Sequence, residues 1–202
     1  MPAALPGVAR GGGLAAPAPG AAGEVGRGGG ARLVAGERGQ RQRPGEKGGT
    51  ATGRNPTDRG KPGTKHHVAV ERQGIPLAAG LSGANRPDDG LFEPLLEAIP
   101  PLQGRRGRPR RRPGKVHADK AYDVPHCRRY LRRRGIGCRI ARKGVESKTR
   151  LGQHRWVAER TIAWLHRYKR LLVRYERLEE NHQAFLDLGC ALICFRFVQR
   201  LE

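Results

Sequence analysis

Acidic residues are scarce in this chain. Its 202 residues hold 18 Asp and Glu against 40 Lys and Arg, giving a formal net charge of +22 and a pI near 11.3. Such an imbalance says little about fold and much about partners: nucleic acid first, an anionic membrane surface second. Long apolar runs are also missing, and none is long enough to cross a bilayer. Pro, Gly and Arg break every apolar stretch near the N-terminus, so no signal peptide is read there, and Ser is too sparse for an organellar transit peptide. A cytoplasmic protein is expected. The four cysteines, Cys127, Cys138, Cys190 and Cys194, form no C-x-x-C pair, which argues against a zinc site and for reduced, structural thiols. Aromatic residues make up only 5%, with no stacking motif of the RNA-binding modules. No internal repeat is evident.

What is present falls into two parts. Residues 1–49 are mostly Gly, Ala, Arg, Pro and Val with no hydrophobic period. That composition cannot offset chain entropy, so a disordered tail is expected. From residue 50 the texture becomes that of a folded domain running to 202. After a basic, turn-rich lead-in, residues 66–71 alternate like a strand, and Gln73-Gly74 turn the chain into a second strand over 75–83. Residues 88–99 open with acids and carry Leu91, Leu95, Leu96 and Ile99 at helical spacing, with Pro94 near the start. A basic loop precedes a short strand at 115–119. A helix over 125–135 has Pro first and Gly last, and a strand follows at 136–142. Helices are expected over 154–168 and 179–199. The last carries Phe185, Leu188, Leu192 and Phe195 on one face, thickened by Ala184, Leu186, Ala191 and Ile193, so burial on most sides is expected. The plan is α/β with a mixed sheet and flanking helices.

Two carboxylates stand out against the basic background. Asp119 directly follows a strand, where α/β sheets set their ligand sites. It is either an ordinary cap or a ligand, and Asp123, two residues before Pro125, is the better cap for the following helix. Glu159 lies four residues after Arg155 on a helix, either as a surface ion pair or as a metal ligand beside a phosphate contact. Trp156 and Trp164 read as helix-packing residues. Acids that hold divalent cations within a basic surface are what metal-assisted phosphodiester chemistry needs. Around them, Arg105, Arg106, Arg110, Arg111 and Arg112 flank a Gly-Arg-Pro core that holds Arg108. This loop is either a solvated phosphate-binding segment or a hook for the minor groove of A·T-rich DNA. Lys65, beside His66 and His67, and Lys120 are further candidate phosphate contacts. The two histidines, adjacent on a strand, cannot both face one site.

Taken in order, "TGRNPTDRGKPGTKHH", "GIPLAAGLSGANRPDD", "GRRGRPRRRPGKVHADKAYD", "RGIGCRIARKGVES" and "LGQHRWVAERTIAWLHRYKRLLVRYER…FLDLGCALICFRF" resemble the catalytic region of DDE transposases from bacterial insertion sequences of the IS-four/IS-five type. The resemblance covers residues 50–200. It implies a ribonuclease-H-like fold, a two-metal site for Mg²⁺ or Mn²⁺, and strand cleavage and transfer on double-stranded DNA at terminal repeats and target. It also implies homodimers on DNA and work at the bacterial nucleoid. Asp119 matches the second acid of the triad and Glu159 the third. Arg155 matches the arginine of the family's Tyr-x-x-Arg-x-x-x-Glu-x-x-x-x-x-x-Lys signature, while Gly152 and His166 replace its Tyr and Lys. The first acid has no counterpart upstream. One codon choice for residues 42–47, shifted by one base, reads Ser-Val-Arg-Ala-Lys, the text expected there. A truncated or frameshifted gene follows as an expectation, with an upstream-frame product as a partner and weak catalysis alone. The alternative is a non-catalytic DNA-binding protein that uses the hook-like loop.

Overall fold

A computed structural model describes residues 30–36, 49–56, 59–101, 109, 112–142, 144 and 152–200 of the chain. β1 (Gly30–Gly36) lies inside the segment expected to be disordered, yet it is the middle strand of the sheet. β2 (Gly53–Arg54) pairs with the start of β3 (Pro62–Val70). β3 then runs antiparallel both to β1 and to β4 (Pro76–Gly83). On the other side of β1, β5 (Lys115–Ala118) and β6 (Gly137–Ile140) add in parallel. The sheet therefore reads β4-β3-β1-β5-β6, with β2 at the end of β3.

Helices cover both faces. α1 (Phe92–Glu97), preceded by a 3₁₀ turn over Asp88–Leu91, and α2 (Pro125–Arg133) close one face. Phe92, Leu95, Tyr130 and Leu131 pack there on Ala69, Val116 and Ile140. α3 (Gly152–Leu165), α4 (Lys169–Leu172) and α5 (Glu179–Val198) close the other. There Val157, Ile162, Leu165, Leu186 and Ile193 meet Val68, Val70 and Leu81. Alternate residues of β3 thus feed opposite cores, as the two-residue period of a strand demands. Gly189 lets α5 approach closely, because a Cβ there would sit 2.9 Å from the Leu171 side chain. The expected strands and helices are present, with α3 ending early: the Tyr168 amide turns back to the Leu165 carbonyl at 3.1 Å. The four cysteines are unbridged, and burial, reinforced by Asp89 and Glu93, pushes the Cys127 thiol up to about 12.

A strand covered on both faces usually reads as a continuous apolar run. β3 instead buries Thr64, Lys65, His66 and His67 in succession, and a buried polar group without a partner is costly. Each has one. Thr64 Oγ1 donates to the Ala51 carbonyl at 3.0 Å and accepts from Arg174 Nη1 at 2.7 Å. Lys65 Nζ meets Asp88 at 2.9 Å and the Arg86 carbonyl at 3.0 Å. His66 Nε2 lies 3.1 Å from His182 Nε2, and His67 Nε2 lies 2.8 Å from Ser82 Oγ.

Arg174, only 1% exposed, also donates to Thr52 Oγ1 at 3.0 Å, the Thr50 carbonyl at 2.8 Å and the Glu176 carbonyl at 2.9 Å. One guanidinium therefore ties residues 50–52, β3 and the loop before α5. His182 Nδ1 is held by Glu176 at 3.1 Å, so the chain Glu176–His182–His66 links α5 to the sheet. Burial, with the neighbouring imidazoles and Arg174, drives the His66 pKa well below its ordinary 6.5. Burial also lowers His182, against the pull of Glu176. Glu176 itself is held below its usual range: burial would raise it, but bonds from Arg170, backbone amides and His182 outweigh that.

Two outcomes follow from this network. Arg174→Met, which strands Thr64 and several carbonyls, should cost about 3–5 kcal/mol of unfolding free energy by urea titration. Both imidazoles bind protons less well folded than unfolded, so stability is full above the ordinary histidine pKa of 6.5 and drains as pH falls below it. Up to two protons are taken up on unfolding, each worth about 1.4 kcal/mol per pH unit. Urea midpoints measured from pH 7.5 to 5 should show this loss, and His182→Gln should flatten it.

Candidate active site

β5 ends at Ala118, and Asp119 comes next, at the C-terminal edge of a parallel strand pair. Its carboxylate accepts from the Lys120 amide at 2.7 Å and caps a 3₁₀ turn over Lys120–Tyr122. The expectation that Asp123 caps α2 is corrected. The residue before α2 is Val124, with no side-chain cap, and Asp123 instead binds Arg128, whose Nη2 lies 2.6 Å from its carboxylate. Asp119 thus has a structural role at the end of β5.

Glu159 lies in the middle of α3 at an exposed position. What fixes α3 over the sheet is the β3–β4 hairpin. Gly74, at φ +95°, brings its carbonyl to 2.8 Å from Thr161 Oγ1, and a Cβ at Gly74 would stand 2.9 Å from that hydroxyl. Arg160 donates to the Gln73 carbonyl next door. Its guanidinium is stacked between Trp156 and Trp164, 4.4 and 4.8 Å from the ring centroids. The two tryptophans pack on the helix as expected, around a cation rather than wholly in the core.

The remaining expected phosphate contacts divide. Lys65 is buried, its ammonium in an ion pair with Asp88. Arg112 donates to the Arg134 carbonyl from an exposed position. Lys120 is half-buried beside Asp119. Arg155 occupies the turn of α3 before Glu159. Arg105, Arg106, Arg108, Arg110 and Arg111 lie outside the described residues. On α2, Arg128 turns inward to Asp123 and the Ile140 carbonyl, while Arg129, Arg132 and Arg133 are exposed. Sequence reasoning missed Arg174 and the Glu176–His182–His66 chain. Their one signal was a charged residue set within the apolar run Leu171–Tyr175.

Metal binding needs donors that converge. Among the described residues, no three His, Cys, Asp or Glu side chains gather to hold an ion. β1, whose Leu33 pairs with Ala118, continues alongside Asp119 as Val34-Ala35-Gly36 and has no carboxylate in its whole length. Asp119 after β5 and Glu159 on α3 belong to no such group of donors among the described residues. No helix among the described residues is long and apolar enough to cross a membrane.

A family model described as the transposase DDE domain matches residues 34–194. A protein of Burkholderia cepacia assigned as transposase for insertion sequence element IS402 is 51% identical over 151 residues, covering 75% of this chain and 72% of that protein. Another, of Brucella ovis (strain ATCC 25840 / 63/290 / NCTC 10512), assigned as transposase for insertion sequence element IS6501, is 30% identical over 139 residues, covering 66% of this chain and 98% of that one. DDE domains use divalent metal ions, and transposases bind and move DNA. The chain belongs to the DDE transposases of insertion sequences.

Proposed function

We propose that this chain is the catalytic portion of an insertion-sequence transposase that grips DNA but does not by itself complete the metal site needed to cut it. The observation that carries this reading is the bare β1: the strand beside Asp119 has no acid to join Asp119 and Glu159. A sheet with three antiparallel strands, extended by two parallel ones on the far side of the first, is the arrangement of a ribonuclease-H-like domain, and this supports assigning that fold. Asp119 and Glu159 are then its second and third acids, with Mg²⁺ or Mn²⁺ the ion of a completed site. Two carboxylates without the third lose the geometry on which metal-assisted cleavage depends. An upstream-frame product carrying the missing acid would be the natural partner, and the assembled protein would act as a homodimer on the element's ends.

Binding does not need that acid. The exposed arginines of α2 and the net charge of +22 supply a phosphate-tracking surface that needs no base contact. Lys120, Arg155 and the arginine-rich loop over 105–112 are assigned to the same surface.

Duplex DNA should bind with an affinity that falls steeply with salt, measured by fluorescence anisotropy. Arg129→Ala with Arg132→Ala should reduce the log–log salt slope by about 0.9 for each phosphate that is no longer neutralised. An unchanged slope would remove α2 from the interface. In an oligonucleotide cleavage assay with Mg²⁺ or Mn²⁺, the chain alone should stay at background. Cleavage that Asp119→Ala or Glu159→Ala abolishes would show that the site is complete after all.

A further inference from the structure

α5 buries His182, Leu186, Gly189, Cys190 and Ile193 against the sheet layer. Its opposite face is not polar. Leu188 is 55% exposed, Leu192 40% and Phe195 57%, with exposed Ala184 one turn before them and exposed Ala191 among them. Burial on most sides, expected from the sequence, is thus corrected: the helix buries one stripe and presents another. Scattered exposed leucines need no account, but a contiguous apolar stripe does.

The stripe has an internal order. Ala184, Leu188, Ala191 and Phe195 recur at steps of four, three and four residues, the seam spacing of a coiled coil. Along that seam small and large side chains alternate. We propose that this face docks a second copy of the chain, α5 against α5, in antiparallel orientation. A two-fold axis passing between positions 189 and 190 sets Leu188 against the partner's Ala191 and Phe195 against the partner's Ala184. Every layer then joins one large and one small residue, the interdigitation that close packing requires. A parallel pair would instead stack Leu188 on its own copy and Phe195 on its own copy, leaving voids at both alanines.

Charge selects the same orientation. α5 begins with Glu179 and Glu180 and carries Arg196 in its last turn, with Arg200 just beyond. Antiparallel helices bring acid beside base at both ends and oppose their macrodipoles, whereas parallel ones bring like to like. Two copies of a chain with net charge +22 repel each other over most of their surfaces. Between Arg177 and Arg196 there is no Lys or Arg, so this face lets them meet without adding to that repulsion. The inference stands apart from the reading of the acids, since no residue of the seam belongs to the candidate active site.

Sedimentation velocity of the full chain across a range of concentrations tests it, without DNA or metal. A reversible monomer–dimer equilibrium is expected. Leu188→Glu should weaken it at least tenfold, while Leu172→Glu on α4, at a side chain 44% exposed, should leave it unchanged. Leu188→Ala alone should weaken the dimer, and adding Ala191→Leu should restore it, because the exchange keeps one large and one small residue in each layer. Circular dichroism checks that the variants fold. A wild-type chain that remains monomeric overturns the proposal. So does a dimer indifferent to Leu188→Glu, or one that the compensating exchange fails to restore. In a monomeric wild type, slow thiol labelling of Leu188→Cys would assign the face to another segment of the same chain.

Discussion

Four consecutive buried polar side chains on a central strand constrain most of this structure. Thr64, Lys65, His66 and His67 cannot be left unpaired in the interior, and no neighbouring residue along β3 can satisfy them. Their partners come from residues 50–52, from the turn before α1, from the loop and helix that end the chain, and from β4. Satisfying one strand therefore draws together segments more than a hundred residues apart in sequence. Apolar burial supplies two cores, but it would tolerate small shifts of register. Directional bonds to Arg174 and His182 do not. They fix which stretch of the lead-in meets β3 and where α5 begins.

The two acids singled out from the sequence lie at the edge of this frame. Asp119 sits where a parallel strand ends, held by a turn bond, and Glu159 rides on a helix positioned by a hairpin tip. The strand between the antiparallel and parallel halves of the sheet consists of glycine, alanine, arginine, leucine and valine. Backbone pairing asks only for an extended chain with free amides and carbonyls, so a strand can complete the sheet without supplying the chemistry. Pairing in the sheet and side-chain chemistry are separate demands on such an element.

That separation also explains what could be read from the sequence. Strands β3 to β6 and helices α1, α2 and α5 were legible because their turn residues and apolar spacing act locally: Gly74 at the hairpin, Pro125 at the start of α2, the leucines of α1. β1 was not legible, because its few apolar residues lie in Gly- and Arg-rich text and its pairing comes entirely from strands distant in sequence. The positions of Asp119 and Glu159 at a strand end and on a helix could be read. The cap that Asp119 makes was legible only as one of two alternatives, since it depends on the backbone turning immediately after β5. The burial of Lys65 could not be read, because the turn before α1 that encloses it with Asp88 lies more than twenty residues away in sequence.

The hairpin tip against α3 has one more consequence. Through Thr161 and Arg160, the loop at Gln73-Gly74 grips the helix on the turn right after Glu159, and the two tryptophans stiffen that turn around the arginine. The helix and the β3–β4 ribbon therefore behave as a single lever, with the acid near its fulcrum. A molecule that presses on the ribbon's end cannot move it without tilting Glu159 as well, so whatever touches the tip also adjusts the aim of that carboxylate.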